Sequence, residues 1–180
     1  MEPTTAKRFW VPRGINPAIS DEGFLVDPES DPAHAARAAV PFSAIEPRTM
    51  LALLGGPGMG KSTSLSREIN LGTESLLEGD RLFALDLGLC GSEFALVKSM
   101  FRATTIRTWN GKHKLHLFLD SYDECLQRID NLVALTLNFL AELPHRDQLV
   151  LRIACRTADL ATGPRRRVNS PLRGKDAGRL

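Results

Sequence analysis

The stretch Gly55-Gly56-Pro57-Gly58-Met59-Gly60-Lys61-Ser62 limits the folds open to this 180-residue chain more than any other segment. It satisfies the pattern G-x-x-x-x-G-K-[ST] and follows the continuous apolar run Met50-Leu51-Ala52-Leu53-Leu54. An apolar run of that length, closed by glycines, reads as a strand buried on both faces. From Ser62 to about Ile69 the pattern reads as the start of a helix. Between strand and helix, Gly55, Gly56, Gly58 and Gly60 let backbone amides turn inward with no Cβ in the way. Those amides and the helix N-terminus attract phosphate oxygens. Lys61 adds a charge toward the β- and γ-phosphates, and Ser62 offers a hydroxyl to Mg²⁺. Pro57, Met59 and Thr63 complete the expected phosphate-binding stretch, with a nucleotide, ATP or GTP, as ligand and Mg²⁺ as cofactor.

Three further apolar runs follow. Leu82–Leu87 is a predicted strand. Ser92 caps a predicted helix on which Phe94, Val97 and Phe101 recur at helical spacing, closed by Asn110-Gly111. Leu115–Leu119 is a third strand and ends in Asp120. Ile129, Leu132, Val133, Leu137 and Leu140 mark one face of a helix that stops at Pro144. Leu149–Cys155 is the fourth strand. Strands alternating with helices predict an α/β domain with a mainly parallel sheet.

Asp120 closes its strand some 60 residues after the glycine loop, the expected place for a carboxylate that holds Mg²⁺ through water. Ser121-Tyr122-Asp123-Glu124 follows. A carboxylate there can orient or deprotonate an attacking water. Spacing does not choose between Glu124 and Asp123, and both also suit the first turn of a helix, where acids favour the dipole. Arg156 ends the fourth strand. Where that strand lies between the loop strand and the Asp strand, its end faces the γ-phosphate, and a basic residue there can sense a triphosphate.

Composition sets the frame. No apolar run approaches the roughly 18 residues of a membrane span, and Met1–Thr5 lacks a signal-peptide plan. Cys90, Cys125 and Cys155 are odd in number and widely spaced, which fits buried apolar thiols in a reducing, cytoplasmic setting. The net charge of +2 is uneven: Pro164–Leu180 carries six basic residues, among them Arg165-Arg166-Arg167, and one acid, leaving 17 basic and 20 acidic residues elsewhere. That tail reads as disordered and is only a weak pointer to nucleic acid.

Leu117–Glu124 resembles the magnesium-binding strand of STAND-class P-loop NTPases, and within them the NACHT-type ATPases. In that group a small residue, here Ser121, follows the magnesium Asp, and further acids come shortly after. Ile153-Ala154-Cys155-Arg156-Thr157 is similar to the group's sensor strand. The resemblance covers about residues 46–160 and implies a three-layer P-loop NTPase fold and an ATP-driven switch of signalling or defence that self-associates. Residues 1–45, with a short strand at Arg8–Val11 and a turn at Asp21–Pro28, are expected to be a lead-in packing on the core, and 161–180 a basic tail. The family continues into a fifth strand beside the loop strand and a helical lid. Neither fits after Leu160, so a truncated or frame-shifted product, or a fragment, is expected. Two other readings stay open: a small P-loop nucleotide or metabolite kinase, and a non-hydrolysing nucleotide-binding remnant.

Overall fold

The structure, a computed structural model, describes residues 9–15 and 39–156. The turn expected at Asp21–Pro28, the arginine run and the composition break near Leu160 lie outside the described residues.

Four parallel strands form the main sheet: β3 (Met50–Leu54), β4 (Arg81–Asp86), β5 (Leu115–Asp120) and β6 (Leu149–Cys155), in the order β3-β6-β5-β4. The last strand in sequence therefore lies between the loop strand and the Asp strand, paired with both. β1 (Phe9–Trp10) and β2 (Val40–Pro41) make a separate antiparallel ribbon. Among the described residues β3 is an edge of the main sheet. The ribbon and α1 (Phe42–Ile45) lie near that edge without extending the ladder, and Trp10, Phe42 and Ile45 pack on the core beside it.

Strand alternation divides the interior. Leu115, Leu117 and Leu119 of β5, with Leu149, Leu151 and Cys155 of β6, face α3 (Glu93–Phe101), α4 (Thr104–Arg107), α5 (Tyr122–Leu126) and α6 (Leu132–Glu142). Phe118, Ala154 and Leu53 face Leu65 of α2 (Lys61–Ser75). Helices thus cover both faces, which is why β5 and β6 read as largely apolar runs, interrupted only by His116 and Arg152 before Asp120 and Arg156. All three cysteines are buried, and none is in a disulfide with another described residue.

Several local expectations change. α2 begins at Lys61 and runs to Ser75, beyond the segment that the pattern marked. β4 is Arg81–Asp86, and Leu87 enters a short 3₁₀ turn, Leu87–Leu89. Ser92 does cap α3, its Oγ accepting from Ala95 N at 3.2 Å. That helix buries Leu96 and Met100, while Phe94 is 70% exposed. It ends at Phe101, and a second short helix intervenes before Asn110-Gly111. On α6 the buried line is Leu132, Thr136 and Phe139, whereas Val133 and Leu137 face outward. Both helices carry apolar residues on several sides, so spacing alone selects no single face.

One polar group crosses this interior. Arg152, in mid-β6, is 2% exposed and points at α2. Its Nε donates to Glu68 Oε1 at 2.8 Å, and its terminal nitrogens donate to the carbonyls of Arg48 and Glu46 at 2.7 and 2.6 Å. A buried charge is tolerable when paired and hydrogen-bonded; each Arg152 nitrogen has an acceptor, whereas Glu68 Oε2 is buried with no hydrogen-bond partner among the described residues.

Candidate functional site

Parallel strands bring their C-terminal ends to one edge of the sheet, and the predicted site residues gather there. Register sets Leu54 opposite Cys155, Leu119 opposite Ile153, and Asp86 opposite Asp120. Neighbouring strands are about 4.8 Å apart, so the glycine loop leaves β3, Arg156 leaves β6 and Asp120 ends β5 within roughly two strand spacings.

The loop itself takes the conformations its glycines permit. Gly58 and Gly60 have φ of 73° and 78°, the left-handed region where a side chain is strained. Gly60 is the N-cap of α2, and its carbonyl accepts Ser64 N at 2.9 Å and Ser64 Oγ at 3.0 Å. Lys61 is the first residue of this fifteen-residue helix. Its Nζ turns back onto the loop and donates to Gly55 O at 2.7 Å and Gly56 O at 2.9 Å. Pro57, Met59, Ser62 and Thr63 are exposed, open to a ligand.

At the end of β5 the chain turns sharply into α5. Ser121 sits at φ 54°, left-handed despite carrying a side chain, and its amide donates to Asp120 Oδ1 at 2.7 Å. Such a conformation costs roughly 1–3 kcal/mol, which a small residue bears best. Tyr122, anchored through its hydroxyl to Thr136 Oγ1 at 3.2 Å, goes into the core, and burial pushes its phenol pKa up.

The two acids that spacing left equivalent differ in structure. Asp123 is 4% exposed. Its Oδ1 accepts the Arg156 main-chain N–H at 3.1 Å, and its Oδ2 lies 2.8 Å from Arg156 Nε. It does not cap its own helix: α5 has no side-chain cap. Glu124 is open, its side chain 46% exposed, and its Oε1 is 4.0 Å from an Arg156 terminal nitrogen. Arg156, with a side chain 40% exposed, therefore leans over α5, on the far side of β6 from the glycine loop.

Two residues at this edge were not anticipated. Asp86 ends β4 beside Asp120, and its Oδ1 accepts Gly88 N at 2.9 Å. Gly88 packs so closely that an added Cβ would stand 2.9 Å from Glu124 Oε2 and 3.1 Å from Asp86 Oδ1. The readable signal was an acid closing an apolar strand, followed two residues on by glycine.

Among the described residues no three His, Cys, Asp or Glu side chains converge on a point that could hold a metal ion. Mg²⁺ carried by a nucleotide asks for less: one or two protein oxygens, with phosphate and water completing the octahedron. The Ser62 hydroxyl and the Asp120 carboxylate are donors of that kind. No helix among the described residues is long and apolar enough to cross a membrane. Compared with protein families, curated proteins and solved structures, the chain shows no match.

Proposed function

We propose that this chain is a Mg²⁺–ATP-binding module with a P-loop NTPase fold, of the NACHT type within the STAND class. The observation that carries this reading is the joint arrangement of one glycine loop and one strand order. The loop turns through left-handed Gly58 and Gly60 into a helix that begins at Lys61, and β6 separates the loop strand from the strand that ends in Asp120. In this reading the backbone of Gly55–Gly60 cradles the phosphates, with Pro57 and Met59 at its tip and Thr63 one residue beyond Ser62. Lys61 neutralises the β- and γ-phosphates. Ser62 and Asp120 hold Mg²⁺, which supplies charge neutralisation to the phosphates when bound.

Hydrolysis would need a carboxylate that reaches a water in line with the γ-phosphate. Glu124 follows Asp120 by four residues and its side chain is 46% exposed, whereas both oxygens of Asp123 are engaged by Arg156. Glu124 is therefore the acid with a free hand for that proton.

The test is titration with ATP and Mg²⁺. Lys61→Ala removes a charge-assisted contact worth about 1.5–3 kcal/mol, so affinity should fall by about ten-fold to over a hundred-fold. Equal affinity in wild type and variant rejects the reading.

A further inference from the structure

We propose that Asp123 sets the preference of the site for triphosphate over diphosphate by competing with the terminal phosphate for Arg156. The inference rests on the nucleotide-binding reading above and goes beyond it by naming a specificity-determining residue that touches no nucleotide.

The geometry shows how Arg156 is held. Asp123 grips one residue twice, at its main-chain amide (3.1 Å) and at its guanidinium Nε (2.8 Å). The amide contact fixes where β6 ends. The guanidinium contact fixes where the side chain points. It points toward α5, which follows β5, while the glycine loop follows β3 on the opposite flank of β6. Glu124, 4.0 Å from a terminal nitrogen, adds attraction on the same side. Arg156 thus stands between two acids and is turned from the loop that would present a γ-phosphate.

Moving Arg156 to a phosphate has an energetic cost. Asp123 is nearly fully buried, and a buried carboxylate that loses its partner is strongly destabilised. Its remaining contact, the Arg156 amide, offsets only part of this. A γ-phosphate, with its own charge and several acceptor oxygens, can repay that loss through bidentate bonds to the guanidinium. A β-phosphate is, in this reading, the group that the loop amides and Lys61 already engage, so it gains less from the guanidinium. Triphosphate and diphosphate therefore differ in whether they draw Arg156 away from Asp123.

Asp123→Asn isolates the competition. Its amide oxygen still accepts the Arg156 N–H, but its NH₂ group faces Nε donor to donor and releases the side chain. Wild type, Asp123→Asn, Arg156→Gln and the double variant would each be titrated with ADP and with a non-hydrolysable ATP analogue, both with Mg²⁺. Asp123→Asn should bind the analogue about ten- to a hundred-fold more tightly, the span of one charge-assisted hydrogen bond, with ADP affinity unchanged. Arg156→Gln should weaken the analogue alone, and the double variant should match Arg156→Gln.

An unchanged or lowered analogue-to-ADP ratio in Asp123→Asn overturns the proposal, as does an effect of that substitution in the absence of Arg156. A purely structural Asp123 would weaken both nucleotides together. A proton-accepting Asp123 would leave both affinities alone and slow turnover. Should Asp123→Asn fail to fold, the wild-type ¹⁵Nε-arginine spectrum decides. The Arg156 signal, assigned by its loss in Arg156→Gln, should shift with the analogue and stay with ADP; the same response to both overturns the proposal. Wild type that binds neither nucleotide rejects the nucleotide reading itself and the inference with it, whereas binding without the expected change in ratio rejects the inference alone.

Discussion

Arg152 and Glu68, 84 residues apart in the chain, meet at 2.8 Å beneath the helix that starts at Lys61. The pair ties the strand that Arg156 follows to the helix that the glycine loop leads into, so its integrity bears on both flanks of the candidate site.

Removing one member should be costly. Arg152→Ala leaves the Glu68 carboxylate and the carbonyls of Glu46 and Arg48 without their donor, and a broken buried pair costs about 3–5 kcal/mol. Urea unfolding should show a loss of that size. Arg152→Met with Glu68→Leu replaces both charges by apolar volume and should recover much of it. Burial raises the Glu68 pKa above 4.5, with Arg152 opposing the shift. Its contribution to stability is therefore full below 4.5 and is lost as pH rises through the raised folded value. Glu68→Gln should remove that slope.

His116 gives a dependence of opposite sign. Burial holds its pKa below 6.5, assisted by Lys114 and Arg152 and opposed by Asp80, whose Oδ2 is 3.5 Å from Nε2. The unfolded chain then takes up the proton first as pH falls. Stability from this group is present above 6.5 and lost as pH falls through the lowered folded value. Thermal melts from pH 7 downward should show wild type losing stability faster than His116→Gln.

The acids at the end of β5 should separate by function. Glu124→Gln should leave ATP affinity near wild type and lower turnover by about 10²–10⁴, the usual worth of a general base. Asp120→Asn should instead weaken binding that depends on Mg²⁺. Steady-state phosphate release, paired with titration at varied Mg²⁺, distinguishes them; normal turnover in Glu124→Gln removes that residue from the chemistry.

Gly88→Ala probes the same place by shape. The added methyl would press on Glu124 Oε2 at 2.9 Å and on the Ser121 Cβ at 3.1 Å. The flexible Glu124 side chain yields first, so turnover should fall while the urea midpoint shifts little. A full-rate Gly88→Ala would show that the position of Glu124 is not critical.

Legibility in the sequence followed the kind of contact involved. The four strands were readable from their apolar runs, but burial on both faces holds only for β5 and β6: β3 is an edge that leaves Met50 62% exposed, and β4 buries none of its residues fully. The glycine loop was readable because its backbone demands special residues. The buried faces of α3 and α6 were not, since Phe94, Val133 and Leu137 are apolar yet exposed. Arg152 sat unnoticed inside an apolar run because its partner is Glu68, far off in sequence. The different surroundings of Asp123 and Glu124 were hidden for the same reason: they depend on Arg156, 33 residues from Asp123.

The two carbonyls that hold Lys61 have a kinetic implication. An ammonium carries three N–H donors, and Gly55 and Gly56 occupy two of them. If the loop takes a phosphate as proposed, the third would greet an arriving oxygen before either carbonyl lets go, so the cation would pass from loop to ligand by stepwise handover and never be stripped bare. Such an exchange lowers the barrier to capture, yet it makes the net gain a small difference between similar bonds. Arginine at this position, planar and longer, would clasp the carbonyls in a fixed plane and forfeit the rotation on which that handover depends.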